Sequence, residues 1–159
     1  MYTALQFFCI TIFSFYHNKT YLLGGGERWC VTRPNDFLGQ VLALDASIRF
    51  AGLADSKGTK AYHKYREGLK PLLSPEETDK SMLQAVLRND MRSTLEDKLG
   101  QCMYVIGMYK KVKRITIPMY PPVAKERGIL MISLDLDSDR DDIIAKKVLP
   151  FLENARLDL

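Results

Sequence analysis

Residues 74–100 carry a full set of helix start and stop signals, and that helix divides the remaining signals into two groups of strands. Ser74 is placed to cap it, Pro75 suits the first helical position, and Glu77 completes a capping box. Glu76, Glu77 and Asp79 complement the positive end of the helix dipole. Leu83, Leu87, Met91, Leu95 and Leu99 recur every four residues, flanked by Met82 and Val86, a stripe expected to bury one face. Lys98 and Gly100 suit the end. Unbroken over residues 75–99, such a helix spans about 37 Å, enough to cross a sheet.

Upstream, Asn35 or Asp36 can cap a short helix whose apolar positions include Phe37, Leu38, Val41, Leu42 and Leu44. Residues 47–54 read as a strand, Asp55-Ser56-Lys57-Gly58 as a turn, and residues 59–66 as the returning strand. Downstream, residues 102–109, 112–120 and 129–136 read as three more strands. In the second of these, Lys113, Ile115 and Ile117 alternate with Arg114 and Thr116, the pattern of a strand with one solvated face. Pro118, Pro121 and Pro122 suggest that this strand lies at a sheet edge or runs into a loop. The run from Ile129 to Leu134 is almost continuously apolar, as in a strand covered on both sides. Asp139 or Asp141 can cap a last helix that buries Ile143, Ile144, Val148, Phe151 and Leu152, with Pro150 expected to bend it or end it early.

The order α-β-β-α-β-β-β-α over residues 36–157 predicts a single layered α/β (α+β) domain around an antiparallel sheet of about five strands. Residues 1–35 are expected to lie outside that core. Residues 1–16 are uncharged and mostly apolar, shorter than the roughly 20 residues of a membrane span and without the basic start of a secretory signal. A leader, an extra packed element and a mis-assigned start of translation all fit them. Gly24-Gly25-Gly26 supplies a flexible boundary.

The chain has 159 residues, 47% of them apolar and 26% charged, which suits one folded domain and excludes a wholly disordered chain. Its three cysteines, Cys9, Cys30 and Cys102, are widely spaced and odd in number, so neither a disulfide framework nor a zinc site is indicated. A reducing, cytoplasmic setting is the expectation. The net charge of +4 is unevenly spread. Basic residues gather in 57–70 and 110–114, while Asp135, Asp137, Asp139, Asp141 and Asp142 make one strand end acidic.

Motifs for chemistry are absent. The glycine run lacks the spacing and the lysine of a phosphate loop. Asp135-Leu136-Asp137-Ser138-Asp139 starts like a calcium loop, but Arg140 and Lys146 stand where glycine and a bidentate glutamate are needed. His63 has no specified partner, and Cys102 is a nucleophile only if His63 lies beside it. The expectation is therefore no enzyme, no cofactor and no metal. The candidate partner-binding residues are Lys60, Lys64, Arg66, Lys110, Lys111, Lys113 and Arg114. Interleaved with Tyr62, Tyr65 and Tyr109, they offer a surface for nucleic acid if the two basic hairpins lie side by side, or for an acidic protein.

The element order, with a strand–Asp-x-x-Gly–strand hairpin near its start, resembles the Roadblock/LC7 fold over residues 36–157, and longin, profilin-like and PAS-like domains share parts of the layout. Ile48-Arg49-Phe50-Ala51-Gly52, Tyr65-Arg66-Glu67-Gly68-Leu69, Pro71-Leu72-Leu73-Ser74 and Lys111-Val112-Lys113-Arg114 are similar to a family of small proteins of ammonia-oxidising archaea (Thaumarchaeota). The Roadblock resemblance implies dimerisation through sheet edges and helices, and scaffolding or regulation of small GTPases. The leading expectation is thus a non-catalytic, dimerising module that binds protein partners. A PAS- or profilin-like small-molecule sensor and a nucleic-acid binder are the alternatives.

Overall fold

The structure, a computed structural model, describes residues 19–21, 27–29 and 32–157. The expectations for residues 1–18 and for the glycine run lie outside the described residues. Two short strands, β1 (Lys19–Tyr21) and β2 (Glu27–Trp29), pair antiparallel in a sheet of their own.

The main sheet has five antiparallel strands: β3 (Ile48–Asp55), β4 (Ala61–Tyr65), β5 (Val105–Met108), β6 (Lys113–Met119) and β7 (Gly128–Leu134). Their order across the sheet is β4-β3-β7-β6-β5. The last strand in the chain is therefore the central one, and every residue of β7 is buried, as its continuous apolar run requires. On one face, α1 (Pro34–Ala43) and the C-terminal helix bury Phe37, Leu38 and Val41 with Ile143, Ile144 and Val148 against Leu53, Ile115, Leu130 and Ile132. On the other, α2 (Pro75–Ser93) lays Met82, Ala85 and Val86 on Phe50, Ala54, Ile129 and Met131. Burial of one such aliphatic side chain contributes about 1.5–3 kcal/mol.

Several local expectations are met. Ser74 Oγ accepts from the Glu77 amide at 3.2 Å, and Glu77 returns a carboxylate oxygen to the Ser74 amide at 2.8 Å. The β3–β4 turn closes as its residues dictate: Asp55 accepts from the amides of Thr59 and Lys60, and Gly58 takes a φ of 69°. Asp139 caps the last helix by accepting from the Asp142 amide at 3.1 Å.

Others are corrected. α1 starts earlier than a cap at Asn35 or Asp36 implies: its N-cap is Arg33, and Pro34 takes the first helical position. Asp36 instead pairs with Arg33 at 2.9 Å. The central helix does not run unbroken to Gly100. It ends at Ser93 and resumes as α3 (Glu96–Leu99). The hydroxyls of Ser93 and Thr94 bond the carbonyls of Asp90 and Met91 at 2.7 and 2.8 Å, diverting acceptors from the helical ladder.

The leucine stripe does not face the sheet. Leu83, Leu87, Met91, Leu95 and Leu99 are exposed, Met91 at 72%, because Thr78, Met82, Ala85 and Val86 occupy the sheet-facing side. β6 runs into a turn at Pro121 and Pro122, as one reading of its prolines expects, but it is not an edge strand with a solvated face. It lies between β5 and β7, and Pro118 falls beyond the last β5 pair, Val105 with Thr116, where β6 has no neighbour on that side. Pro150 does not end the last helix. The chain passes from α4 (Arg140–Asp142) through a π-helical stretch (Ile143–Val148) into α5 (Leu149–Asn154), whose opening turn holds the proline.

Candidate functional site

The α2 face of the sheet is only partly covered. The register sets Tyr65, Phe50, Ser133, Arg114 and Gly107 in one transverse row across all five strands. A β-bulge between Ile48 and Phe50 turns Phe50 toward this face while Ile48 stays in the opposite core. Above the row, the chain entering α2 stands off and leaves a cleft of about 440 Å³. Leu69, Leu72 and Leu73 from the β4–α2 connection form one wall, and Tyr109, Lys110 and Lys111 from the β5–β6 turn form the other. Tyr65 anchors the roof through a 2.9 Å hydrogen bond between its hydroxyl and that of Thr78.

The polar groups of the cleft are few. Ser133 is only 8% exposed, and its hydroxyl has no hydrogen-bond partner among the described residues. Arg114, its cross-strand neighbour, donates to Ser81 Oγ at 2.7 Å and forms no ion pair among the described residues. Burial pushes the Arg114 guanidinium below its ordinary pKa; nearby Arg88 adds to that shift, while the phenols of Tyr109 and Tyr65 oppose it. On the far side of Tyr109 and Arg114, a smaller cavity of about 190 Å³ is lined by Arg88 and Arg92. The remaining cleft arginine, Arg49, is committed to Asp135 at 2.6 Å.

The seven basic candidates are not brought together. The hairpin holding Lys60, Lys64 and Arg66 occupies one edge of the sheet, and the hairpin holding Lys110, Lys111, Lys113 and Arg114 occupies the other, with β7 between them. Lys110, Lys111 and Arg114 line the cleft, whereas Lys60 and Lys64 are exposed elsewhere. Arg66 is tied to Asp135 at 2.7 Å. Lys113 is buried in the opposite face and donates from Nζ to the Ser138 carbonyl.

Asp135 thus accepts hydrogen bonds from two arginines, and no group of three or more potential metal ligands occurs among the described residues. His63 packs among Phe50 and Tyr65, with ring centroids 6.0 and 5.7 Å away. Its strand is at the opposite edge from β5, which Cys102 precedes. Residue patterns did not single out Ser133 or the three leucines. The available signals were one hydroxyl inside an apolar strand and an apolar cluster in a connection that should be polar.

Apolar surface is the second feature. Among the described residues, every exposed large apolar side chain except Leu136 lies within residues 72–109. Leu72 and Leu73 border the cleft; the others form the outer stripe of α2 and α3, then continue through Met103 and Tyr104 to Met108 and Tyr109 at β5. Within the described chain, β5 hydrogen-bonds to β6 alone, and its residues Val105, Ile106, Gly107 and Met108 include no charge and no proline. Edge strands that must stay unpaired usually carry one or the other.

A five-stranded antiparallel sheet of this order, with a long helix on one face and a helix pair on the other, has the Roadblock/LC7 fold, and solved structures match it. The chain is similar to a structure of MglB with tetrameric arrangement (TM-score 0.55, 17% identity, 69% of this chain and 76% of that one). It is similar to the gliding protein MglB of Thermus thermophilus (TM-score 0.54, 17% identity, 69% of this chain and 76% of that one). It also resembles the Roadblock/LC7 domain of Streptomyces avermitilis (TM-score 0.51, 11% identity, 77% of this chain and 99% of that one). No family model matches the sequence, and no curated protein matches it. No helix among the described residues is long and apolar enough to cross a membrane.

Proposed function

We propose that this protein is a non-catalytic, dimerising module that binds protein partners, with regulation of a small GTPase as the finer form of that role. The observation that carries it is the concentration of exposed apolar side chains on the α2–α3 stripe and along the uncharged β5 edge. Exposed apolar side chains gathered in one stretch of a chain, rather than scattered singly, mark interaction sites. An open antiparallel edge such as β5 extends naturally by pairing with its own copy. The charges of α2 support self-association as well. Glu76, Glu77 and Asp79 outweigh Lys80 in its first half, whereas Arg88 and Arg92 outweigh Asp90 in its second. Two such helices running antiparallel place acid against base. The fold adds support, since a structure with the same architecture is an MglB in tetrameric arrangement.

Amide hydrogen exchange tests this reading. Exchange in residues 83–99 and 105–108 should slow as protein concentration rises from low to high micromolar, while α1 stays unchanged. Equal exchange in those segments at both concentrations contradicts self-association.

A further inference from the structure

We propose that the cleft between the sheet and the start of α2 binds a small amphipathic carboxylate, with its aliphatic chain among Phe50, Tyr65, Leu69, Leu72 and Leu73 and its head group on Arg114 and Ser133. Four observations converge on this assignment, and none depends on the dimer.

The volume of about 440 Å³ falls within the roughly 300–1,000 Å³ typical of ligand sites. Its lining is mainly apolar, with the cations at the Arg114 side and at the β5–β6 turn. Such a lining rejects a small hydrophilic anion and a fully polar metabolite alike, because either one leaves the leucine wall facing polar groups.

Ser133 is more than nine-tenths buried, lines the cleft, and has no hydrogen-bond partner for its hydroxyl among the described residues. No fully enclosed side-chain oxygen or nitrogen lacks a partner among the described residues, so this hydroxyl is open to the cleft and free to bond a polar atom that arrives there.

Arg114 is the neighbour of Ser133 across the β6–β7 ladder, and no carboxylate among the described residues neutralises it. A partly buried cation without a counterion is costly, and a ligand carboxylate relieves that cost through charge-assisted hydrogen bonds. Lys110 and Lys111 at the rim also form no ion pair among the described residues, and they favour the approach of an anion. The remaining cleft cation, Arg49, already pairs with Asp135, which directs the head group to the Arg114 side.

Calorimetric titration of the full chain with decanoate, decanol and acetate tests the proposal. Decanoate should bind one per chain, decanol more weakly, and acetate not at all. Arg114→Gln should weaken decanoate at least tenfold while leaving decanol unchanged, because only the charged head uses the guanidinium. Ser133→Ala should weaken decanoate several-fold and retain the wild-type circular dichroism spectrum. If Arg114→Gln fails to fold, Ser133→Ala decides. Three results overturn the proposal: no binding of decanoate at millimolar concentration, equal affinity for decanoate and decanol, or unchanged decanoate affinity in the folded variants. The first of these is also the outcome expected of a cleft filled only by a protein partner.

Discussion

Arg114 and Ser133 are paired across β6 and β7, and together they set a cation and a hydroxyl on the floor of a cleft walled by Leu69, Leu72 and Leu73. Two rows along β7, Ile129 lies in the same face beneath the body of α2. One face of one sheet therefore does two jobs. Its covered end contributes stability through Met82, Ala85 and Val86, and its open end presents chemistry.

Two methionines of α2 separate packing from surface. Met82 is 1% exposed and seals the second core, so Met82→Ala should cost about 2–5 kcal/mol in urea unfolding. Met91 points outward, and Met91→Ala should change stability by less than about 0.5 kcal/mol when measured at concentrations where the chain is monomeric. Equal losses would mean that α2 is rotated relative to the sheet.

Ser74→Ala removes the cap that accepts from Glu77 and leaves that amide unsatisfied. A loss of about 1 kcal/mol is expected, with Ser74→Asp restoring most of it. Thermal unfolding followed by circular dichroism reads both variants.

The acid limb of stability should depend on Asp135. Burial opposes its ionisation, but hydrogen bonds from Arg66 and Arg49 outweigh burial and hold its pKa below the ordinary 3.8. A carboxylate depressed in the folded state contributes stability that is present above its unfolded value and lost as pH falls through the folded one. Wild-type stability should therefore drop below about pH 4, while Asp135→Asn starts lower by about 1–2 kcal/mol at neutral pH, given its partial exposure, and declines less in acid. Urea midpoints between pH 2 and pH 7 measure it. Parallel curves for the two proteins would count against the arginine pair.

Gly58 closes the β3–β4 turn at a φ of 69°, and a Cβ there would stand 2.7 Å from Leu83 Cδ1. Gly58→Ala should lose about 1–2 kcal/mol from the left-handed backbone alone, since Leu83 is exposed and can yield. Leu83→Ala in the same background should not rescue it; full rescue would assign the cost to the side-chain contact instead.

Much of the fold was legible because its signals are local. The Ser74 cap, the Asp55–Gly58 turn and the Asp139 cap each depend on residues within five positions, and the element order follows from them. Two failures were themselves local, the start of α1 at Pro34 and the end of α2 at the Ser93 and Thr94 hydroxyls; the others depended on partners distant in sequence. A leucine every four residues says that a helix has an apolar stripe, not that the sheet is beneath it; Thr78, Met82, Ala85 and Val86 took that place by fitting closer to a crowded sheet. Alternation in β6 suggested one solvated face, yet α2 half-covers Arg114, and Lys113 reaches Ser138 from within the other core. The cleft was invisible for the same reason. Phe50, Ser133 and Arg114 come together only through the register of three strands.

Self-association through the α2 stripe is read by light scattering coupled to size exclusion, on the wild-type chain and on the double variant Leu87→Glu, Met91→Glu. The wild type should have a mass of twice the 18.2 kDa chain or a higher multiple of it at high micromolar concentration, falling to a single chain in the double variant with an unchanged circular dichroism spectrum. A wild-type protein that stays at the mass of one chain throughout, or a double variant that assembles as the wild type does, would contradict it.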